Sequence, residues 1–196
     1  MTPGYDADPL GFAPEEGIAR HLRMHPDRAS KNGTLWNREQ KIMHPPGGAD
    51  CSIYCDGSIS PKVPIEPLMK RWLHSSTVAM FKHPHRTCAY KEIDACVTRN
   101  KITADQGTIA RDGFNAAGFP KDFGLWACGM IARRTNNNPF QEMVAPYWWS
   151  LVNVIPRDQI WLPFAMWKLS YPTDEIHTID ADIFSNPYFT FKPHKA

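Results

Sequence analysis

No stretch of this 196-residue sequence approaches the about 20 apolar residues that cross a bilayer, so no transmembrane helix is expected. Charge of one sign is missing too. Against 22 Lys and Arg stand 20 Asp and Glu, a formal net charge of +2. That leaves no basic stripe of the kind a dedicated nucleic-acid binder carries. The opening residues, Met1 to Asp6, hold neither a basic n-region nor an apolar h-region, and secretion is not indicated. The five cysteines (Cys51, Cys55, Cys88, Cys96, Cys128) are odd in number and irregularly spaced. Cys51 and Cys55 sit within an apolar strand pattern, poor spacing for a zinc knuckle. All five read as reduced core thiols of a cytoplasmic protein. There is no G-x-G-x-x-G, Walker loop, G-x-S-x-G elbow or H-E-x-x-H.

What is present is the composition of one globular domain, 42% apolar and 12% aromatic with seven Trp. Eighteen Pro predict short elements joined by irregular connections. Residues 1–36 are rich in Pro, Gly and Asp, with one short helix expected at 15–24. Cys51, Ile53 and Cys55 alternate into Asp56, the pattern of a strand ending at Asp56-Gly57. Helical spacing follows over 67–74, then a strand over 77–82, then a helix over 86–99. Thr103 and Gln106 have the spacing of a capping box, opening a helix to about Ala117. Residues 125–133 read as a strand buried on both faces. Asn138-Pro139 is a helix start that leads through Phe140, Met143, Val144, Tyr147, Trp148 and Leu151, and Pro146 should kink this helix or make it begin again. A further helix over 157–169 should be interrupted by Pro163, and a last strand lies at 176–179. Strands alternating with helices predict an α/β layered domain with flanking helices.

Three polar groups stand where chemistry could reside. Asp56 leaves a strand, and in open α/β sheets ligands bind beyond the carboxyl ends of strands. A carboxylate there suits a divalent cation on phosphate oxygens, with Gly57 allowing close backbone approach; Asp-Gly is equally a turn dipeptide. His83-Pro84-His85-Arg86 follows the next strand and so opens on the same edge, suited to phosphate or metal, or merely a stiffened surface loop. Arg157-Asp158-Gln159 begins a helix, where Asp158 and Gln159 suit sugar hydroxyls, or Asp158 simply complements the helix dipole. Trp126, Tyr147-Trp148-Trp149, Trp161 and Trp167 offer rings for stacking a sugar, although Trp at helical spacing also builds cores.

The order of these pieces resembles one family. The residues that carry the likeness include Asp27-Arg28-Ala29, Lys41-Ile42-Met43-His44, Asp56-Gly57 and the run from His83 through Tyr90 and Glu92. It continues with Gly118-Phe119-Pro120, Gly124-Leu125-Trp126, Arg157-Asp158-Gln159, Ala165 to Lys168, and Asn186-Pro187-Tyr188-Phe189 with His194. This is similar to the glycosyltransferase-like domain shared by plant pectin and mucilage biosynthesis proteins and by bacterial and phage proteins. The likeness spans roughly residues 27–194, leaving 1–26 as an atypical N-terminal segment and 27–196 as the domain.

The resemblance implies a mixed sheet between helices, like the A-type nucleotide-sugar transferases. It implies a nucleotide-diphospho-sugar donor with Mn2+ or Mg2+ held by Asp56, and His194 as a further metal ligand. Asp158 and Gln159 would work near the sugar or acceptor. His83, His85 and Arg86 would face the diphosphate, with Gly57, Trp126 and Arg157 on the donor side. Two departures qualify this. Ser58 stands where a second carboxylate is usual, which should weaken metal affinity or shift ligation onto donor oxygens and water. The Tyr-Thr-Ala-Ile-Phe-Gly strand and Phe-Thr-Asp segment that help hold the base have no counterpart in residues 1–26. Two functions are therefore expected in competition. One is an active metal-dependent transferase acting on a hydroxyl of a glycan, a protein or a modified DNA base. The other is a degenerate binding or interaction module.

Overall fold

The computed structural model describes residues 33–45 and 49–192. The helix expected at 15–24, the Asp27-Arg28-Ala29 motif and His194 lie outside the described residues. Within them the chain is a mixed α/β fold. A four-stranded sheet in the order β1-β4-β3-β5 is built from β1 (Cys51–Cys55), β3 (Val78–Lys82), β4 (Trp126–Arg134) and β5 (Ile176–Ile179). The strand β4 runs antiparallel to both β1 and β3, while β5 pairs parallel to β3. Hence β1, β3 and β5 all point one way, and their carboxyl ends share one edge. No helix among the described residues is long and apolar enough to cross a membrane.

Alternation along the strands divides two cores. Val78, Met80 and Ile131 face a large cluster built with α1 (Gly33–Met43), α3 (Ala89–Thr98), α4 (Ala104–Ala117), α5 (Ala145–Val154) and α6 (Asp158–Lys168). Ala79, Phe81 and Ala132 face a smaller one with α2 (Ile65–Trp72) and the two-stranded ribbon of β2 (Ile59–Pro61) and β6 (Phe189–Phe191). Cys51, Ile53 and Cys55 share that second face, as their alternation predicts. Neither β2–β6 nor α1 was expected from pattern. Each strand of the ribbon is three residues long and one ends at Pro61, too short for a period to show.

The strand β4 breaks its own alternation. Cys128 faces the large core but Met130 faces the small one, and the pairing with β3 slips between Met80 and Phe81. Gly129 sits in this bulge, and a Cβ there would lie 3.0 Å from Ile59, 3.3 Å from Ile183 and 3.4 Å from Asp56 Oδ2. Bulges of this kind re-aim neighbouring side chains. Here the Gly129 carbonyl accepts the Asp56 amide at 2.8 Å, fixing where β1 ends.

Two helix expectations need correction, and a third is met in one of its two forms. The helix expected from Arg86 starts at Ala89, because the His83 Nδ1 accepts the backbone N–H of His85 (3.2 Å) and Arg86 (3.0 Å) and holds the chain in a turn. At Pro146 the helix begins again, as expected: a π-helical turn over Phe140–Val144, with the Ala145 N–H reaching the Phe140 carbonyl, precedes α5, which holds Pro146 in its first turn. The wider turn absorbs the missing proline donor. Asn138 caps this start, its Oδ1 accepting from the Gln141 amide at 3.3 Å. Pro163 does not interrupt α6, which runs unbroken through it. An interior proline costs about 3 kcal/mol, but α6 buries every residue from Ile160 to Met166, and packing on all sides holds it. The capping box at Thr103 and Gln106 forms as expected, at 3.1 and 3.0 Å.

Candidate functional site

The shared edge gathers residues from five elements into one polar network. It begins at the end of α1. There the guanidinium of Arg133, only 1% exposed, donates to the carbonyls of Lys41 and Ile42, and Gln141 Nε2 donates to Ile42 at 2.9 Å. These bonds satisfy last-turn carbonyls that a helix leaves open, and they set the position of Lys41. The Lys41 ammonium then lies 2.7 Å from Asp158 Oδ2 and 3.2 Å from Asp56 Oδ1. Burial would pull the Lys41 pKa down, but Asp158 and Asp56 outweigh it and hold the ammonium charged. Asp158 is the mirror case. Burial raises its pKa, yet Lys41 and Arg38, whose Nε is 3.7 Å away, bring it down to about 2.

Tyr54 closes the outer side, its hydroxyl donating to Asp56 Oδ1 at 2.7 Å. Burial together with the Asp56 carboxylate keeps this phenol protonated despite Lys41. Asp158 passes the network on, because its Oδ1 accepts the Gln159 amide at 3.1 Å and Gln159 Nε2 donates to Glu92 Oε1 at 3.0 Å. Glu92 is buried, and its carboxylate is the second hub. It also accepts from Arg86 Nε at 2.5 Å and from the Cys96 thiol at 3.4 Å.

His83 ends the chain. Its Nδ1 takes two backbone N–H groups, so its proton belongs on Nε2, which faces Glu92 Oε2 at 3.7 Å. Burial, with Arg86 and His85 adding and Glu92 opposing, lowers its pKa to about 4. His83 is therefore a neutral ring that organises its loop. His85 stands exposed beside it.

The residues singled out from sequence thus divide. Asp56, Asp158, Gln159, His83 and Arg86 are joined in one hydrogen-bonded set. Of its three carboxylates, only Asp56 opens to solvent, its side chain 36% exposed against 9% for Asp158 and 3% for Glu92. Gly57 is an exposed turn with open space where a Cβ would stand. Arg157 precedes α6 with its Nε buried and lacking a hydrogen-bond partner. Trp126 is 5% exposed and donates its indole N–H to Thr178 at 3.0 Å, so its ring is core rather than a platform. Trp148 and Trp161 are likewise buried, tied to the carbonyls of Asp158 and Ile155.

Lys41 and Glu92 carry no signal of their own in the sequence beyond the motifs they sit in. Tyr54 is one position of a strand. Its face gives the signal in retrospect, since it points opposite to Cys51, Ile53 and Cys55, toward α1.

A divalent cation finds little protein here. Among the described residues no three His, Cys, Asp or Glu side chains converge on one point. Asp56 Oδ1 is engaged by Lys41 and Tyr54, which leaves Oδ2 as the oxygen they do not hold. This donor set fits an ion that arrives with ligand oxygens, not one caged by side chains. Comparison with protein-family models, with curated proteins and with solved structures returned no match.

Proposed function

We propose that this chain binds a nucleotide-diphospho-sugar at the carboxyl edge of its four-stranded sheet and transfers the sugar to a hydroxyl acceptor. One observation carries the reading: five residues chosen by motif, separated by up to 103 positions between Asp56 and Gln159, meet in a single hydrogen-bonded network. Ligands of α/β sheets bind at such an edge. Asp56 is the solvent-facing acid of the set, and Arg86 is pre-aimed by Glu92, with its Nη2 3.4 Å from His83. A guanidinium held this way suits phosphate oxygens. A cation entering on the diphosphate would meet Asp56 Oδ2 and offset charge on the leaving group. Asp158, buried and held ionised by Lys41, anchors the ammonium rather than accepting a proton.

The test is donor turnover. With nucleotide sugars and Mn2+, donor hydrolysis or transfer is expected in the wild type and lost in Asp56→Asn; turnover at the wild-type rate in that variant would refute the role given to Asp56.

A second reading, binding without transfer, has its own observation. Both buried carboxylates of the network, Asp158 and Glu92, are consumed by fixed partners, and no proton acceptor other than Asp56 opens on the edge from this set. Saturable donor binding without any turnover would select it.

A further inference from the structure

The loop leaving β5 ends on the same edge, and it holds a phenyl ring in the open. Of the large apolar side chains exposed among the described residues, Phe184 is the one aromatic, at 47%. Its loop is not loose. The Phe184 amide donates to Asp182 Oδ1 at 2.8 Å, and the Ser185 amide to the Asp182 carbonyl at 3.1 Å. Asn186, 8% exposed, donates to the carbonyls of Asp182 (2.9 Å) and Ile183 (3.0 Å) and accepts the amides of Tyr188 (2.9 Å) and Phe189 (2.8 Å).

The ring meets Phe191 in an edge-type contact, centroids 4.7 Å apart at 68°. It also lies near-parallel to His85, centroids 6.1 Å apart at 26°. His85 in turn lies 6.1 Å from His83, the end of the polar network. An aromatic that stays exposed while its backbone is cross-tied has already paid its ordering entropy, which is what a stacking partner needs.

We infer that Phe184 and His85 form a shelf on which the nucleobase of the nucleotide ligand stacks, next to the phosphate-facing Arg86. This rests on the donor-site reading above and assigns the base to a definite place on it. Two features favour a base over another occupant. The shelf adjoins the His83 end of the network, where the Arg86 guanidinium is held by Glu92 and the phosphates of a nucleotide would lie. Every base also offers a flat face, and stacking on an aromatic side chain changes affinity by about 5- to 150-fold.

The experiment is calorimetric titration of the full chain, wild type and Phe184→Ala, with UDP, UDP-glucose and inorganic pyrophosphate in Mg2+. Phe184 is a surface side chain, so the variant should fold, and circular dichroism checks it. The expected result is a loss of 5-fold or more for both uridine ligands, no change for pyrophosphate, and recovery in Phe184→Trp. Unchanged UDP affinity, or equal loss for UDP and pyrophosphate, would overturn the shelf while leaving the site reading standing. A loss confined to UDP-glucose would place the sugar there instead and likewise overturn it. If the wild type binds none of the three, the donor-site reading falls, and the shelf with it.

Discussion

Lys41 and Asp158 stand 117 residues apart in sequence and 2.7 Å apart in space, both buried. That pair locks α1 to the first turn of α6, and Asp56 at 3.2 Å extends it to the end of β1. A buried ion pair is weak as a source of net stability but costly to break, because the survivor is left charged and unsolvated. Lys41→Met leaves Asp56 and Asp158 close together without their shared cation. We expect a loss of about 3–5 kcal/mol in urea unfolding. Asp158→Asn should cost a similar amount. The double change Lys41→Met with Asp158→Asn should cost less than the sum of the two, which a double-mutant cycle measures.

The second hub makes a different prediction. Glu92 accepts from Gln159, Arg86 and Cys96 at once. Glu92→Gln exchanges one acceptor oxygen for a donor and must turn an N–H toward Gln159 or Arg86. Unsatisfied buried donors cost about 1–3 kcal/mol, so a lowered urea midpoint is expected. Because Arg86 also loses its aim, pyrophosphate affinity should fall too. Charge removal at the exposed Asp112 serves as the control that moves neither.

Much of this was legible before the structure. Alternation located β1, and the strands expected at 77–82, 125–133 and 176–179 lie within a residue of β3, β4 and β5. Placing Asp56 and His83 on a common edge fixes β1 and β3 in the same direction, but not β4 or β5. What the pattern could not show were the pieces decided by tertiary contact. The helix α1 carries only Leu35, Ile42 and Met43 as obvious core residues and is held by Arg133, which lies 92 positions from Lys41. Pro163 reads as a breaker locally and is overruled by burial. The roles of Lys41 and Glu92 depend on who their neighbours are across the fold. Trp126 illustrates the converse, since an indole beside a candidate site reads as a platform until its exposure is known.

His83 gives the fold a pH dependence with a definite sign. Its pKa falls from an ordinary 6.5 in the unfolded chain to about 4 in the folded one. Between these values the unfolded chain holds more protons, so stability drops as pH falls from about 6.5 toward 4. Above 6.5 its contribution is complete. Asp158 does not add to this window, because its folded pKa near 2 places its loss at lower pH. Chemical denaturation at pH 7 and pH 5 should show the fall, and His83→Gln, which keeps an acceptor for the two backbone amides, should flatten it. An equal fall in that variant would assign the dependence to another group.

Gly129 links the bulge in β4 to the acid it supports. A methyl group there meets Ile59 at 3.0 Å, tighter than ordinary van der Waals contact, and Ile183 at 3.3 Å. Either aliphatic tip can shift by a few tenths of an ångström, so Gly129→Ala should fold with a loss of about 1–3 kcal/mol from overpacking. The same methyl stands 3.4 Å from Asp56 Oδ2, the oxygen that Lys41 and Tyr54 do not hold. It therefore comes into van der Waals contact with the oxygen that a ligand-borne cation would meet. The expected outcome is specific: Mn2+ alone gives no thermal shift with either protein, since one carboxylate oxygen is a poor site. Mn2+ together with UDP stabilises the wild type and stabilises Gly129→Ala less. A stabilising shift from Mn2+ alone, abolished by Asp56→Asn, would show instead that side chains complete a cation site at this edge without the nucleotide.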